Sequence, residues 1–576
     1  MKRAIALSAL LLSQFGTSQL LKTSGQKIVN DKGENIQLRG LGPGGWMLQE
    51  GYMLKTADFA GPQYKIKEKI AELTGEDGMK KFYQAYLKNG ITKKDIDFLK
   101  QAGFNSIRLP MHYNLYTFPI EQELVKGKDT WLEEGFRMTD DLLKWCAENK
   151  MYLILDLHAA PGGQGNDVNI SDNDKSKPSL WESPENQRKT IALWKKLAER
   201  YKDEPWIGGY DLINEPNINF TGKNPNGTDE MSNAPLWKLQ KEITQAIREA
   251  DKKHIIIIEG NGWGNNYNGL PQLWDNNMVF SFHKYWNNND DATLKFALDL
   301  RNKHNAPIWL GETGENSNVW FTELIQLLDQ HNIGYAFWPM KKIDNIAGIT
   351  NVKMTPEYQT LLDYWKNGGK KPSREFATKA LMDIAEGYQF ERVEIKKDVI
   401  DAMFRQTTDA STLPFTNHQA PGRIFASEYD LGRMGSAYLD KDYINLWVSD
   451  PAKRSEWNSG NQMRNDGVDI YSCHDQITNR YYVGKTETGE WMQYTIQSAS
   501  DRNYTAEIRY ASPNNAKIRI EDSTGNKLAS VSLPPTGGNE KWKSFTVKSI
   551  HLKKGENKIR IVFENNGLNL NYFELK

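Results

Sequence analysis

The feature that most constrains the fold is an alternation of short apolar runs with longer amphipathic segments between Ile36 and Met340. The short runs have the length and composition of buried strands, and the longer segments repeat apolar residues every three or four positions, as helices do. The predicted strands are residues 36–42, 106–110, 152–158, 207–214, 254–260, 278–286, 307–312 and 334–339. The predicted helices between them include 137–150, 188–201, 237–253, 292–304 and 319–331.

Eight strands, each followed by a helix, is the count of a closed (β/α)8 barrel. An open doubly wound sheet is the alternative, but no glycine-rich phosphate loop follows the first strand. We therefore predict the α/β class, with a TIM barrel as the larger part of the chain.

Polar side chains follow six of these strands at or near their carboxyl ends, where catalytic groups of such barrels lie. They are Arg108, His158, Glu215, His283 with Tyr285, Glu312 and Trp338. One polar residue could simply be satisfied within a core, but six at the same end of six strands indicate a site.

Two of these residues are glutamates within acidic tripeptides, Asn214-Glu215-Pro216 and Gly311-Glu312-Thr313. A barrel brings the ends of their strands together. One carboxylic acid can then protonate a glycosidic oxygen while the other, as carboxylate, attacks or stabilises the sugar. The pair predicts an enzyme that cleaves glycosidic bonds.

The composition limits which kinds of molecule the protein is expected to bind. The 576 residues suggest two to four domains, and 73 basic residues balance 73 acidic ones. A net charge of zero offers no field for nucleic acid or an anionic membrane. The 18 Trp and 25 Tyr favour a sugar ligand, because aromatic rings stack on pyranose faces. We expect a monomer that binds a β-linked polysaccharide or oligosaccharide.

The first residues predict export. Lys2-Arg3 precede an apolar stretch from Ala4 to Leu12, and Gly16 and Ser18 have the spacing that a signal peptidase prefers. We predict a signal peptide over 1–18, a secreted or periplasmic protein, and no membrane span. The two cysteines fall in different predicted domains, so no disulfide is expected.

The predicted organisation after this peptide is a barrel domain at 19–406, a linker at 407–422 and an all-β domain at 423–576. An insertion over 47–90 is expected to shape one wall of the barrel's cleft. The last domain shows apolar residues with period two, as at Ile559, Ile561 and Phe563, which indicates a jelly-roll sandwich.

The barrel resembles glycoside hydrolase family 5, the retaining cellulase-like barrels. The resemblance covers roughly residues 30–345, and its motifs stand in the family's order. They are Ser106-Ile-Arg-Leu-Pro110, Asp156-Leu-His158, Asn214-Glu-Pro216, His283-Lys-Tyr285, Gly311-Glu-Thr313 and Trp338. The resemblance implies that Glu215 is the general acid/base and Glu312 the nucleophile.

The other residues can be given roles on physical grounds. Arg108 and Tyr285 are expected to donate to Glu312, because positive charge and hydrogen bonds favour its ionised form. Asn214 is expected to bind the sugar 2-hydroxyl, while Trp338 stacks beneath the same sugar. The remaining binding candidates, His158 and His283, are expected to orient the network.

Four further acids near strand ends, Asp156, Asp211, Glu259 and Glu315, are interpreted as structural partners of arginine or backbone. The two histidines have no companion at metal-ligand spacing. We therefore expect neither a catalytic metal nor a cofactor.

The substrate is less constrained. The loop from His158 to Gln164 resembles that of β-glucan-acting members, including β-1,3-glucanases, and β-glucan is the favoured substrate. Trp46, Trp181, Trp263 and Trp286 are candidate sugar platforms. The alternatives are a β-mannan or xylan hydrolase, a transglycosylase, and a non-catalytic polysaccharide-binding protein.

Four motifs stand out in the C-terminal domain: Asn465-Asp-Gly-Val-Asp-Ile470, Val483-Gly-Lys-Thr-Glu-Thr-Gly-Glu-Trp491, Leu533-Pro-Pro-Thr-Gly-Gly538 and Asn569-Leu-Asn-Tyr-Phe-Glu574. Through these motifs the domain resembles a family 6 carbohydrate-binding module.

The departures from this family are in its binding sites. Met463 and Asn539 stand where the family has the two rings that hold the sugar, so only Asn569 remains of that cleft. Ser427 and Asn571 stand where the family has calcium-binding acids. The domain is predicted to be a structural companion of the barrel or to bind sugar at another surface.

Overall fold

We describe residues 19–446 and 456–576 of the protein from a computed structural model. The predicted signal peptide, 1–18, lies outside these residues. Within them, no helix has the length and apolar character needed to cross a membrane.

The predicted barrel is confirmed. A hairpin of β1 (Lys22–Ser24) and β2 (Lys27–Val29) precedes eight parallel strands that close into a barrel in chain order. The barrel strands are β3 (Arg39–Leu41), β4 (Ser106–His112), β5 (Tyr152–Ala159), β6 (Ile207–Asp211), β7 (Ile256–Glu259), β8 (Met278–Lys284), β9 (Ile308–Gly314) and β10 (Gly334–Trp338). All eight predicted strands appear, because both faces of each are covered and the apolar runs are correspondingly continuous.

Helices pack around the barrel and on its flank. They are α1 (Gln63–Gly90), α2 (Lys93–Ala102), α3 (Glu133–Glu148), α4 (Val168–Ser171), α5 (Pro184–Tyr201), α6 (Ala234–Ala250), α7 (Asn261–Gly264), α8 (Asp291–His304), α9 (Asn318–Gln330), α10 (Pro356–Asn367), α11 (Arg374–Gly387) and α12 (Lys397–Met403). Short 3-10 helices lie at Tyr113–Leu115, Ile120–Gln122 and Ala426–Glu428.

Helix α5 shows how sequence fixes these elements. The Ser183 hydroxyl accepts the N–H of Asn186, and Pro184 takes the first helical position, where it needs no N–H partner. One face then buries Leu193, Trp194 and other apolar residues against the barrel. The Trp194 indole donates to the carbonyl of Leu212, 2.9 Å away. The helix therefore holds the chain just before the Asn214-Glu215 pair.

A second hydrophobic core lies beside the barrel. Helices α1, α10 and α11 pack there with a small sheet of β11 (Lys341–Ile343), β12 (Thr350–Val352) and β13 (Glu394–Ile395). Helix α1 belongs to the insertion predicted at 47–90, and it is interrupted at Gly75, whose φ is +69°.

The C-terminal domain is an all-β structure of two main sheets, as predicted. One sheet pairs its strands in the order β14-β19-β24-β21-β22 with β16, and the other in the order β17-β18-β25-β20-β23 with β15. Their bounds are β14 (His418–Ala420), β15 (Gly422–Phe425), β16 (Tyr438–Leu439), β17 (Ile470–Ser472), β18 (Tyr481–Val483), β19 (Trp491–Ser498), β20 (Arg502–Ala511), β21 (Ala516–Asp522), β22 (Lys527–Leu533), β23 (Lys543–Leu552), β24 (Gly555–Phe563) and β25 (Asn569–Leu575).

The domain limits stay a prediction, but the segment at 407–422 contributes to the sandwich. Strand β14 falls within it and pairs with β19. Cys146 and Cys473 are both free and buried, in the barrel and the sandwich.

Buried polar contacts join the sandwich to the barrel. The Asn318 side-chain amide donates to Asp466 at 2.8 Å and to Asp398 at 2.9 Å. The backbone N–H of Asn465 also donates to Asp398, at 2.7 Å. All four side chains are at most 2% exposed, so these groups depend on one another for their hydrogen bonds.

Candidate functional site

A cavity of about 680 Å³ opens at the carboxyl ends of the barrel strands. Both predicted glutamates line it. Six of the eight sequence-predicted residues line the cavity: His158, Glu215, His283, Tyr285, Glu312 and Trp338. The other two, Arg108 and Asn214, are buried beneath this lining and contact it.

Arg108 lies beneath the cavity and is 1% exposed. Its guanidinium donates to Asp211 at 2.9 Å, to Glu259 at 3.0 Å and to Glu312 at 3.0 Å. It also donates to the Asn214 side-chain oxygen at 2.7 Å. A buried guanidinium needs such partners, and here one of them faces the open cavity.

Both oxygens of Glu312 accept hydrogen bonds. Arg108 binds one oxygen, and the Tyr285 hydroxyl donates to the other at 2.8 Å. These are the two donors predicted from the sequence. Burial and the neighbouring Glu215 raise the pKa of Glu312, whereas His283 and Arg108 oppose that rise. Both donors bind the ionised form of this carboxylate.

Glu215 reaches the cavity because the chain leaves the strand before it. Strand β6 ends at Asp211, and Glu215 has a φ of +43°, in the left-handed region. Its N–H donates to Glu259 at 2.7 Å, which fixes this unusual conformation. Strict strand alternation would send Asn214 and Glu215 to opposite faces, so the chain must depart from a regular strand here. The left-handed conformation of Glu215 provides that departure.

His283 lies between two carboxylates. Its Nδ1 is 2.6 Å from Glu215, and its Nε2 is 3.2 Å from Glu259. Burial alone would lower the pKa of His283, but the charges of Glu259 and Glu215 raise it well above its ordinary value. Although burial would raise the pKa of Glu259, His283 and Arg108 hold it at about 2. The imidazolium and the Glu259 carboxylate therefore stabilise each other.

His158 has the opposite environment. Its Nδ1 is 2.8 Å from Asp156, and its Nε2 is 3.2 Å from the Asn214 amide nitrogen. Burial lowers the pKa of His158 to about 3, so the ring is neutral and its Nε2 can accept from Asn214. The Gln164 side chain donates to the carbonyls of both His158 and Asn214, at 2.7 and 2.9 Å.

Trp338 lies against His158 and two glycines. The two rings stack with their centroids 4.8 Å apart and an interplanar angle of 11°. A Cβ at Gly42 would lie 2.6 Å from the Trp338 ring, and one at Gly44 would lie 2.8 Å from it. The ring needs both glycines in order to lie flat beside the cavity.

Several lining residues were not singled out from the sequence. Among them, Glu50 and Tyr52 come from the start of the insertion after β3. The Tyr52 hydroxyl accepts the Trp338 indole N–H at 3.0 Å. Glu50 is 7% exposed, and its carboxyl has no hydrogen-bond partner among the described residues. Burial and the charges of Glu312 and Glu215 raise its pKa well above the ordinary value. An acid and an aromatic residue just after the first strand were the available signal.

The four tryptophan platform candidates divide into two groups. Trp263 and Trp286 line the cavity. Trp46 donates to the Leu87 carbonyl within the core, and Trp181 donates to the Gln164 carbonyl and packs edge-on against Phe220.

The four further acids have partners, as interpreted from the sequence. Asp156, Asp211 and Glu259 all lie within 3.3 Å of Arg108. Glu315 pairs with Lys342 at the rim of the cavity.

One group of side chains has the spacing of metal ligands. An atom from each of Glu215, His283 and Glu312 lies within 4.8 Å of the other two. However, Arg108 and Tyr285 already bind both oxygens of Glu312, and His283 lies in hydrogen-bond contact with Glu215. A guanidinium at 3.0 Å opposes a second cation, so the donor set fits proton chemistry better than a metal ion.

Comparison with known families agrees with this architecture. The family described as cellulase (glycosyl hydrolase family 5) matches residues 66–343. Residues 66–343 form a family 5 glycoside hydrolase domain. The family 6 carbohydrate-binding module matches residues 461–576, so the chain joins a family 5 domain to a family 6 module. Both resemblances seen in the sequence are confirmed.

Individual relatives match the family 5 domain. A protein named beta-xylosidase from Phanerodontia chrysosporium is 32% identical over 268 residues, which are 46% of this chain and 52% of that protein. Endoglucanase C of Acetivibrio thermocellus is 27% identical over 326 residues, covering 46% of this chain and 88% of that protein. The chain thus spans about half the length of the first relative.

A solved structure also matches. The crystal structure of endoglucanase Cel5A from Thermotoga maritima shares 18% identity at a TM-score of 0.35, covering 50% of this chain and 90% of that one.

The family 6 module departs from its family in the structure as well. Met463 is partly buried against the sandwich core, and the Asn569 side chain donates to the Asn539 carbonyl at 2.7 Å. Near the replaced calcium ligands, Glu428 pairs with Arg480 at 3.1 Å. A guanidinium thus neutralises the remaining acid there.

Proposed function

We propose that the chain is a secreted retaining β-glycoside hydrolase that cleaves a β-glucan by double displacement, with Glu312 as nucleophile and Glu215 as general acid/base. The observation that carries this proposal is that a carboxylate oxygen of Glu215 lies within 4.8 Å of one of Glu312 across one cavity. Retaining enzymes separate their carboxyl groups by about 5 Å, whereas inverting enzymes leave about 6.5–9.5 Å for a water molecule.

The first step is attack by Glu312 on the anomeric carbon. Arg108 and Tyr285 donate to this carboxylate, which favours its ionised form against the effect of burial and orients it before the substrate arrives. As the bond to the sugar forms, negative charge leaves the carboxylate.

Glu215 delivers the proton to the leaving oxygen. His283 holds the Glu215 carboxyl in place at the cavity, with its Nδ1 2.6 Å away. The proposed step pairs this acid with the Glu312 carboxylate, to which Arg108 and Tyr285 donate. After Glu312 is glycosylated its charge is gone, and Glu215 can act as base toward water.

Asn214, His158 and Trp338 support the sugar at the cleavage point. Arg108 binds the oxygen of the Asn214 side chain, and neutral His158 lies beside its nitrogen. The amide is thereby held for the 2-hydroxyl, whose hydrogen bonds strengthen in the transition state. Trp338 offers its ring face, and Glu50 offers an unpaired carboxyl for further sugar hydroxyls.

β-Glucan is the proposed substrate because a relative covered over 88% of its length is named an endoglucanase. A β-xyloside is the second candidate, since the relative with 32% identity is named a beta-xylosidase. Mannan cleavage and transglycosylation would use the same pair of glutamates. A non-catalytic binder is disfavoured by the intact hydrogen-bonded set around both glutamates.

The test is a proton NMR record of the first products formed from mixed-linkage β-glucan, β-1,3-glucan, carboxymethyl cellulose, mannan, xylan and aryl β-glycosides. We expect the β-anomer to appear first and to convert slowly to the α-anomer. An α-anomer at the earliest time would overturn the double displacement. No cleavage of any of these substrates would overturn the hydrolase itself.

Secretion is tested separately. Expression of the full chain in a Gram-negative host should yield an exported protein whose new N-terminus follows Ser18. An uncleaved protein retained in the cytoplasm would contradict this part of the proposal.

A further inference from the structure

A second cavity lies apart from the catalytic one. A groove of about 780 Å³ lies between the barrel domain and the family 6 module. The barrel side comes from the insertion after β3, the small sheet β11–β13 and helix α10. The module side comes from the 461–463 loop and Tyr481.

The lining of this groove has the chemistry of a site for a neutral polyhydroxylated ligand. Four lysines balance four carboxylates, and six side-chain amides lie among them. Two half-buried rings, Phe59 and Tyr481, stand on opposite sides, one from each domain. Rings together with amides recognise sugars, whereas a charged ligand would require an excess of one sign.

Polar groups in the module's wall lack partners. Within the described residues, the side-chain amides of Asn461 and Gln462 and the hydroxyl of Tyr481 make no hydrogen bond. Asn461 and Met463 both have left-handed backbone conformations, with φ of 49° and 61°. This strained loop presents its polar side chains to the groove.

Buried contacts hold that loop against the barrel. Lys396, which is 3% exposed, donates to the Met463 carbonyl at 3.0 Å and lies 3.1 Å from Glu394. Two residues further along the chain, Asn465 is bound by Asp398 and by Asn318. The groove is therefore built by a bonded interface and is more than a gap between two domains.

The groove adjoins the catalytic cavity. Tyr52 lines the cavity and Lys55, three residues later on the same loop, lines the groove. Between them lies Lys342, whose ammonium is 4.8 Å from the centre of the Tyr52 ring and pairs with Glu315 of the cavity. A glycan leaving the cavity past Tyr52 would meet the groove next.

We propose that this groove is a second glycan-binding site, built jointly by the barrel and the module, which holds the distal part of a neutral polysaccharide whose other end occupies the catalytic cavity. The inference rests on the proposed function for its substrate class. It assigns the module a binding role through its interface loop and Tyr481, although the two family rings are replaced by Met463 and Asn539.

The test compares Tyr481→Ala with Tyr482→Ala in the full chain. Tyr482 is the neighbouring ring, lies outside the groove and stacks on Tyr471 with centroids 5.3 Å apart. The first readout is the ratio of kcat/KM on polysaccharide to kcat/KM on an aryl β-glycoside, which fills only the catalytic cavity. The second is retardation of the Glu312→Gln variant, with and without Tyr481→Ala, in native gels containing mixed-linkage β-glucan or xylan.

We expect Tyr481→Ala to lower the kcat/KM ratio about tenfold through a higher KM on polysaccharide, the size of one lost sugar-stacking contact. Tyr482→Ala should leave the ratio unchanged, and Tyr481→Ala should reduce retardation of the Glu312→Gln protein. The proposal that the groove binds glycan would be wrong if Tyr481→Ala and wild type gave equal kcat/KM ratios, or if both tyrosine variants lost the ratio equally. If wild type cleaves no substrate, the proposed function fails, and the gel assay still decides whether the groove binds glycan.

Discussion

Two buried arginines organise the two halves of the molecule in different ways. Arg108 and Arg464 are each 1% exposed. Arg108 binds carboxylates on several strands, and one of them, Glu312, faces the cavity. Arg464 binds Asp466 at 2.6 Å, donates to the Tyr429 carbonyl and lies 3.6 Å from the Tyr429 ring centre.

The two arginines differ in whether one of their binding partners faces a cavity. The hydrogen bonds of Arg464 are made within the C-terminal sandwich, and Asp466 also accepts from Asn318 of the barrel, so the charge stabilises an interface. One partner of Arg108, the Glu312 carboxylate, faces the cavity, so the arginine's charge favours the ionised form of the proposed nucleophile. A buried arginine thus marks a reactive site only when one of its partners is left facing a cavity.

The largest expected effect comes from removing that open carboxylate. Glu312→Gln should lower kcat by at least about 10⁴-fold on any cleaved substrate, because the amide cannot form the glycosyl ester. The fold should persist, since Arg108 keeps its other partners. Rate measurements with thermal unfolding check both statements.

Glu315→Gln is the matched control, because Glu315 lines the same cavity but pairs with Lys342. It should keep kcat within about tenfold. If both variants lost activity equally, general cavity charge would explain the loss and Glu312 would not be the nucleophile.

The second prediction compares the arginines directly. Arg108→Met and Arg464→Met should each destabilise the protein by about 3–5 kcal/mol, because each leaves buried carboxylates without their cation. Only Arg108→Met should also lower kcat on an aryl β-glycoside. Calorimetry and kinetics separate the two effects, and a matching loss of kcat in Arg464→Met would show that the module's interface controls the catalytic site.

The barrel and its glutamates could be predicted because they depend on local patterns: continuous apolar runs, and polar residues where those runs end. The conformation of Glu215 could not, since its left-handed φ is set by a hydrogen bond to Glu259, 44 residues away. The role of Glu50 was missed for a similar reason. The acids near it, Asp167, Glu215, Glu312 and Glu315, come from separate parts of the chain.

The module's departures at Met463 and Asn539 were visible in the sequence, but their consequence was not. The adjoining residues 464–466 bind the barrel across contacts such as Asn318 to Asp466, which are 148 residues apart. Only the folded chain shows that this loop faces an interdomain groove.

A third prediction concerns pH. In the module, burial and the nearby Glu490 raise the pKa of Asp440 to about 8. An acid whose pKa is higher in the folded state stabilises the protein below its unfolded pKa of about 4, and that stability is lost as pH rises toward 8. The module's unfolding free energy should therefore fall between pH 4 and 8, by up to about 1.4 kcal/mol per pH unit.

The barrel site should behave oppositely. The pKa of Glu259 is held at about 2, so its contribution is present above about pH 4 and is lost as pH falls toward 2. Calorimetric scans across pH with Asp440→Asn as control distinguish the two. If Asp440→Asn did not flatten the dependence between pH 4 and 8, Asp440 would not be its source.

The smallest expected effect comes from substitutions of Glu50, which lines the same cavity as Glu312. The pKa of both carboxyls is raised, that of Glu50 well above its ordinary value, but only Glu312 has two donors that bind its ionised form. If Glu50 binds sugar as a neutral acid, glutamine can replace it. Glu50→Gln should change KM by less than about threefold, while Glu50→Ala should raise it about tenfold through the loss of a hydrogen bond. The same change to glutamine would thus be tolerated at Glu50 and disabling at Glu312. Steady-state kinetics on one oligosaccharide measures both, and a Glu50→Gln variant as impaired as Glu50→Ala would show that the site needs a third negative charge.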